Sequence, residues 1–137
     1  MRGAIHHIDL TVKEPKRSLA FYESVLGFMG YTLKDEHERG FDMDFSTPQG
    51  FCSIGVMRAE GANAARAHDR YSPGLHHVAW TADSREDVMA MYAHLQSIGA
   101  TILDPPADYP RYGPGYFAVF FADPDGLKLE YVFKPRT

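Results

Sequence analysis

Two adjacent histidine pairs, His6-His7 and His76-His77, and one carboxylate, Glu130, have the types and placement to hold a metal ion. Imidazole nitrogens and a carboxylate oxygen are ligands of zinc, manganese, iron and nickel. Glu130 lies in Leu127-Lys128-Leu129-Glu130-Tyr131-Val132-Phe133, an apolar run apart from Lys128. A carboxylate buried there needs a cation or hydrogen-bond donors to offset its lost hydration. Histidines at matching places in a duplicated unit favour the cation, although hydrogen-bonded structural histidines fit the same pattern.

The duplication is what must position them. Ile5-His6-His7-Ile8-Asp9-Leu10-Thr11-Val12 matches Leu75-His76-His77-Val78-Ala79-Trp80-Thr81-Ala82, 70 residues later, and the same offset carries Tyr22 onto Tyr92. Phe45-Ser46-Thr47-Pro48-Gln49-Gly50 matches Phe121-Ala122-Asp123-Pro124-Asp125-Gly126, 76 residues later. The second copy therefore holds a few extra residues, which we place in the Pro- and Tyr-rich segment 105–115. The copies span approximately 1–60 and 73–137 of a single domain, joined by the Ala- and Gly-rich stretch 59–74.

Each copy reads as a strand, a helix and three strands. Strands are expected near 5–12, 31–36, 40–46 and 51–58, then near 75–82, 101–103, 116–122 and 127–133. The first helix has Pro15 as a first helical residue, an apolar stripe of Leu19, Tyr22 and Leu26, and Gly27 as its stop. The second opens on a capping box, Ser84 with Asp87, buries Val88, Met91, Tyr92 and Leu95, and ends at Gly99. The Pro-x-Gly turns at 47–50 and 123–126 join antiparallel strands.

Strand alternation sorts the histidines. Ile8, Leu10 and Val12 share a face with His6, and Val78 and Trp80 share one with His76. His7 and His77 fall opposite, on the open side, where Glu130 also lies. On the same reasoning Phe41, Met43 and Phe45 pack on the helix, and Asp42 and Asp44 face inward. Lys128 is expected to reach solvent, as are His37, His68 and His94.

The bulk properties narrow the function. A hydrophobic content of 45% and a charged content of 23% are those of a globular chain. A net charge of −4 and a pI near 5.9 exclude the basic face of a nucleic-acid binder. No apolar run is long enough to span a membrane, and the first residues lack a secretory signal's apolar stretch. One cysteine, Cys52, permits no internal disulfide, so a cytoplasmic setting is expected.

The ordered fragments resemble the vicinal oxygen chelate superfamily, the glyoxalase/bleomycin resistance/extradiol dioxygenase proteins. They are His-His-Ile, Phe21-Tyr22 to Leu26-Gly27, His-His-Val, and Asp-Pro-Asp-Gly before a late glutamate. The resemblance implies an α+β fold of two βαβββ modules, with curled mixed sheets enclosing a metal cavity. It implies His7, His77 and Glu130 as ligands of one divalent ion (Zn, Mn, Fe or Ni), acting as a Lewis acid. It also favours a homodimer.

The reaction is narrowed by a departure. Glu130 maps at the 76-residue offset onto Ile54, which can neither bind metal nor move a proton, so lactoylglutathione lyase and methylmalonyl-CoA epimerase activities are disfavoured. The expected function is a metal-dependent lyase, isomerase or dioxygenase acting on a small vicinal-oxygen or thiol-adduct substrate. The alternative is a non-catalytic drug- or metabolite-binding protein of the bleomycin-resistance type. Arg111, Tyr112, Tyr116 and Phe120 are the candidate substrate contacts; no catalytic acid or base is assigned.

Overall fold

The computed structural model describes residues 2–136. The chain divides into two compact units, Met1–Arg66 and Ala67–Thr137, and each holds one helix and one four-stranded sheet.

In the first unit β1 (His7–Val12) leads into α1 (Pro15–Phe28), followed by β2 (Thr32–His37), β3 (Gly40–Thr47) and β4 (Gly50–Arg58). The spatial order is β1-β4-β3-β2, with β1 parallel to β4 and the other pairs antiparallel. The second unit repeats this with β5 (Val78–Thr81), α2 (Arg85–Ser97), β6 (Thr101–Asp108), β7 (Phe117–Ala122) and β8 (Lys128–Phe133). Its order is β5-β8-β7-β6, again with only the β5–β8 pair parallel. The fold is thus α+β, two βαβββ modules of open mixed sheets.

Register explains why one face of each sheet is core. In the first unit Leu10, Val56 and Phe41 align across three strands and are buried with Tyr22, Val25 and Leu26 of α1. In the second, Val78, Leu129 and Phe121 align and are buried with Val88, Met91 and Leu95 of α2. The intervening rows, Asp9–Gly55–Asp42 and Ala79–Glu130–Phe120, face the other way.

Both helices end alike. The Tyr31 amide donates to the Leu26 carbonyl and Gly30 to Gly27; Ala100 donates to Leu95 and Gly99 to Gln96. Gly30 and Gly99 take left-handed φ values of 102° and 69°, as this double-bonded helix end requires. Gly27 is therefore not the stop expected from sequence. It lies inside α1, and the positive φ falls three residues later.

The capping expectation for α2 is met in part. Ser84 Oγ accepts from the Asp87 amide at 3.0 Å, but Asp87 Oδ2 reaches back to the Asp83 amide at 2.9 Å. Sequence also gave β6 only three residues, because Pro105-Pro106 reads as a break. β6 is an edge strand with two register shifts, where missing amide donors cost no pairing. Within 105–115 the chain completes β6, makes a 3₁₀ turn at Pro110–Tyr112 and passes through the Gly113-Pro114-Gly115 loop.

Candidate metal centre

β8 owes its start to a buried aspartate. Asp123 Oδ1 accepts from the amides of Asp125 and Leu127 at 2.9 and 2.8 Å, closing a turn in which Gly126 holds φ at 86°. The strand then places Leu129 and Tyr131 in the core and Glu130 on the opposite face, only 2% exposed.

Three side chains converge on Glu130. His77 Nε2 lies 3.1 Å from Oε1, and the Tyr116 hydroxyl donates to Oε2. Phe120 sits opposite Glu130 in the β7–β8 register, with its ring 6.3 Å from that of His77. The Tyr116 phenol is held well above its usual range, first by burial and then by this hydrogen bond. Two donors each about 2.1 Å from an ion, at roughly a right angle, are about 3 Å apart. His77 Nε2 and Glu130 Oε1, two of the three expected donors, have that spacing at 3.1 Å, which is also that of a hydrogen bond.

His77 is also held from behind, its Nδ1 lying 2.8 Å from Nδ1 of His76. Desolvation is the largest cause lowering the His76 pKa, followed by the charges of His77, Lys128 and Arg70. The first unit repeats the pairing, with His6 and His7 Nδ1 atoms 3.0 Å apart. His6 and His76 are exposed, contrary to the packing-side placement expected from alternation. Both precede the first paired strand residue, so the alternation of β1 and β5 does not govern them.

His7 opens β1 on the open face, more than half exposed, with Nε2 4.0 Å from Asp9 Oδ2. Next to it, Asp9 and Asp42 crowd over Gly55, where a Cβ would collide with the Asp9 carboxylate and come within 3.0 Å of Asp42 Oδ1. The inward placement of Asp42 agrees with the strand pattern. His7 belongs to the first unit, whereas His77, Glu130, Tyr116 and Phe120 are gathered within the second.

The same first-unit sheet carries a further donor group. Asp35, His37 and Asp42 have ligand atoms within 4.8 Å of one another. His37 Nδ1 accepts from the Arg39 amide at 3.2 Å, so a neutral ring carries its proton on Nε2. That nitrogen points to Asp42 Oδ2 at 3.8 Å as a hydrogen-bearing group rather than a lone pair. His37 is exposed, as expected from sequence, and closes β2 rather than lying in the turn.

The candidate substrate contacts form an aromatic chain. Tyr112 is 5.3 Å from Tyr116 and stacks on Tyr109 at 5.9 Å; Tyr109 meets Phe120 edge-on at 5.4 Å. Arg111 donates to the Tyr112 hydroxyl at 2.8 Å and lies over its ring. Tyr109 was missed by sequence reading, although its spacing of three from Tyr112 was a usable signal. Its phenol is raised by burial first, then by Asp104 and Glu130. Lys128 does not simply extend to solvent: Nζ stands 4.5 Å over the Phe120 ring.

A model of the Glyoxalase/Bleomycin resistance protein/Dioxygenase superfamily matches residues 4–131. The uncharacterized protein YqjT of Bacillus subtilis (strain 168) is 28% identical over 128 residues, covering 93% of this chain and 97% of that protein. A putative glyoxalase from Bacillus halodurans superposes with a TM-score of 0.81 at 28% identity, covering 97% of both chains. The fosfomycin resistance protein FosX from Listeria monocytogenes shares the fold, with a TM-score of 0.68 at 18% identity over 98% of this chain and 96% of its own.

Proposed function

The chain belongs to the glyoxalase/bleomycin resistance protein/dioxygenase superfamily, and on that premise we propose that it is a divalent-metal-dependent enzyme. Its substrate would be a small vicinal-oxygen compound or thiol adduct, and its reaction of the lyase, isomerase or dioxygenase type. His7, His77 and Glu130 would hold one ion of zinc, manganese, iron or nickel, with Arg111, Tyr112, Tyr116 and Phe120 against the substrate. The observation that carries this reading is the 3.1 Å approach of His77 Nε2 to a carboxylate that is 2% exposed.

When bound, the ion supplies Lewis-acid polarisation of the substrate's oxygens. The chain's own residues do the rest. Tyr116 fixes the rotation of the Glu130 carboxylate by donating to Oε2, leaving Oε1 beside His77 Nε2 at 3.1 Å. Phe120 sits opposite Glu130 in the β7–β8 register and meets Tyr109 edge-on at 5.4 Å. Register puts Gly55, not the Ile54 expected from the 76-residue offset, at the place of Glu130: Gly55 pairs with Asp9 as Glu130 pairs with Ala79. Gly55 itself supplies no proton acceptor, but the Asp9 and Asp42 carboxylates lie over it.

A second reading is a non-catalytic binding protein of the bleomycin-resistance type. The linked rings of Tyr109, Tyr112 and Tyr116 and the net charge of −4 favour a planar cationic ligand for it. No helix among the described residues is long and apolar enough to cross a membrane, and we place the protein in the cytoplasm as a homodimer.

The experiment is a screen of metal-stripped and metal-reconstituted protein against hemithioacetals, catechols and epoxides. Turnover that needs the ion supports the enzyme. Ligand binding without turnover, and without dependence on metal, supports the second reading.

A further inference from the structure

Arg39, Arg58 and Arg85 are matched by the carboxylates of Glu60, Glu14 and Asp108. Among the described residues Lys128 and Arg70, both in the second unit, form no ion pair. Lys128 shares the open face of β8 with Glu130, yet its ammonium stands 4.5 Å over the Phe120 ring. The Glu130 oxygens are taken by His77 and Tyr116. The Arg70 guanidinium lies 4.9 Å over the Tyr71 ring, and its buried Nε has no hydrogen-bond partner among the described residues.

We propose that Lys128 and Arg70 form an anion subsite beside His77 and Glu130, which takes the carboxylate or phosphate group of a small substrate. Its place in a reaction rests on the reading of His77 and Glu130 as metal ligands, and it names the substrate class which that reading leaves open.

Ring contacts tie both cations to the same place. Phe120, under the Lys128 ammonium, is opposite Glu130 in register and 6.3 Å from the His77 ring. Tyr71, under Arg70, leads to His77 through His76, with ring separations of 5.7 and 5.0 Å. The charges of Lys128 and Arg70 both act on His76, so the two cations flank one region. Both residues are half-buried and reachable by a solute. An aromatic face attracts a cation but offers it no oxygen acceptor. An oxyanion supplies that acceptor, and its hydrogen bonds to ammonium and guanidinium are charge-assisted. Both groups are cationic at neutral pH, so the subsite needs no change of protonation. The net charge of −4 gives the chain no general attraction for anions, so their capture here is local. The Phe120 and Tyr109 rings, 5.4 Å apart and edge-on, offer apolar contact to the carbon part of such a molecule.

The test titrates metal-free, full-length protein with benzoate, phenyl phosphate and neutral benzyl alcohol, and reads binding from proton–nitrogen amide spectra. The two anions should shift the amides around Lys128 and Arg70 and bind about tenfold more tightly than the alcohol. The tighter of the two tells a carboxylate subsite from a phosphate one. Lys128→Met and Arg70→Met keep an unbranched apolar stem over each ring and should each weaken the anions about tenfold. Lys128→Arg keeps the charge and should retain most of the affinity. Lys34→Met removes an exposed charge from β2 of the first unit and should change nothing. Anions that bind no more tightly than benzyl alcohol, or equally well to Lys128→Met and Arg70→Met, overturn the proposal. Zinc titration of the same proteins separates it from its premise. Wild-type protein that takes no zinc but selects anions through Lys128 and Arg70 removes the metal reading and sustains the subsite; zinc binding without anion selection does the reverse.

Discussion

His77 and Tyr116 divide the Glu130 carboxylate between them, the imidazole Nε2 3.1 Å from Oε1 and the phenol on Oε2. One oxygen is held by the phenol and the other faces the imidazole, so the two contacts use opposite ends of one group.

Removing the supporting bond should weaken the metal without unfolding the chain. Tyr116→Phe keeps the ring's contacts and deletes the donor, so zinc affinity should fall about tenfold. Calorimetric titration with zinc checks it, with circular dichroism showing an unchanged fold.

Tyr131 links β8 to the start of α2. Its hydroxyl donates to Asp87 Oδ2 at 2.8 Å, the oxygen that also accepts from the Asp83 amide. Burial, then this hydrogen bond, raises the Tyr131 pKa in the folded chain. A raised folded value means that its contribution is complete below the unfolded pKa near 10 and is lost as pH rises above it. Tyr131→Phe should cost about 1.5 to 3 kcal/mol at neutral pH, as a hydrogen bond to a charged acceptor does. It should also flatten the loss of stability above pH 10. Urea unfolding at pH 7 and pH 10.5 measures both.

Asp123 satisfies two backbone amides from a buried position. Asp123→Ala should cost about 2 to 3 kcal/mol, since both bonds to the backbone amides go. Asp123→Asn, which retains an accepting oxygen, should cost less than half of that. Denaturant unfolding of the two variants side by side gives the comparison.

Ser18 is fully buried in α1, and its hydroxyl has no hydrogen-bond partner among the described residues. Ser18→Ala removes an unpaired polar atom and raises helix propensity. It should therefore leave stability unchanged or raise it by up to about 1 kcal/mol, where most buried substitutions lower it. The thermal midpoint reads the sign.

The elements were legible in sequence because their signals are local. Alternation in β1 and β8, the capping serine at Ser84 and the repeated Pro-x-Gly turns each depend on neighbours within a few residues. The internal match then gave the order twice over. What sequence could not supply depends on partners distant along the chain. Pro105-Pro106 reads as a break unless β6 is known to be an edge. Gly27 and Gly30 are equally good stops until the bond from Tyr31 to Leu26 chooses between them. The pairing of Tyr116 with Glu130 crosses a hairpin and shows no sequence period. The His76 contact was hidden because strand alternation was extended past the strand's first residue.

The central claim is that His77 and Glu130, with His7, hold one divalent ion, and elemental analysis of the purified full-length protein tests it most directly. Wild-type protein should carry about one zinc, manganese, iron or nickel ion per chain. Glu130→Gln and His77→Ala should each lower its affinity by more than the roughly 10- to 100-fold expected for an outer partner. Wild-type protein that holds no ion after exposure to all four metals, or retention of the ion in both variants, would contradict the account.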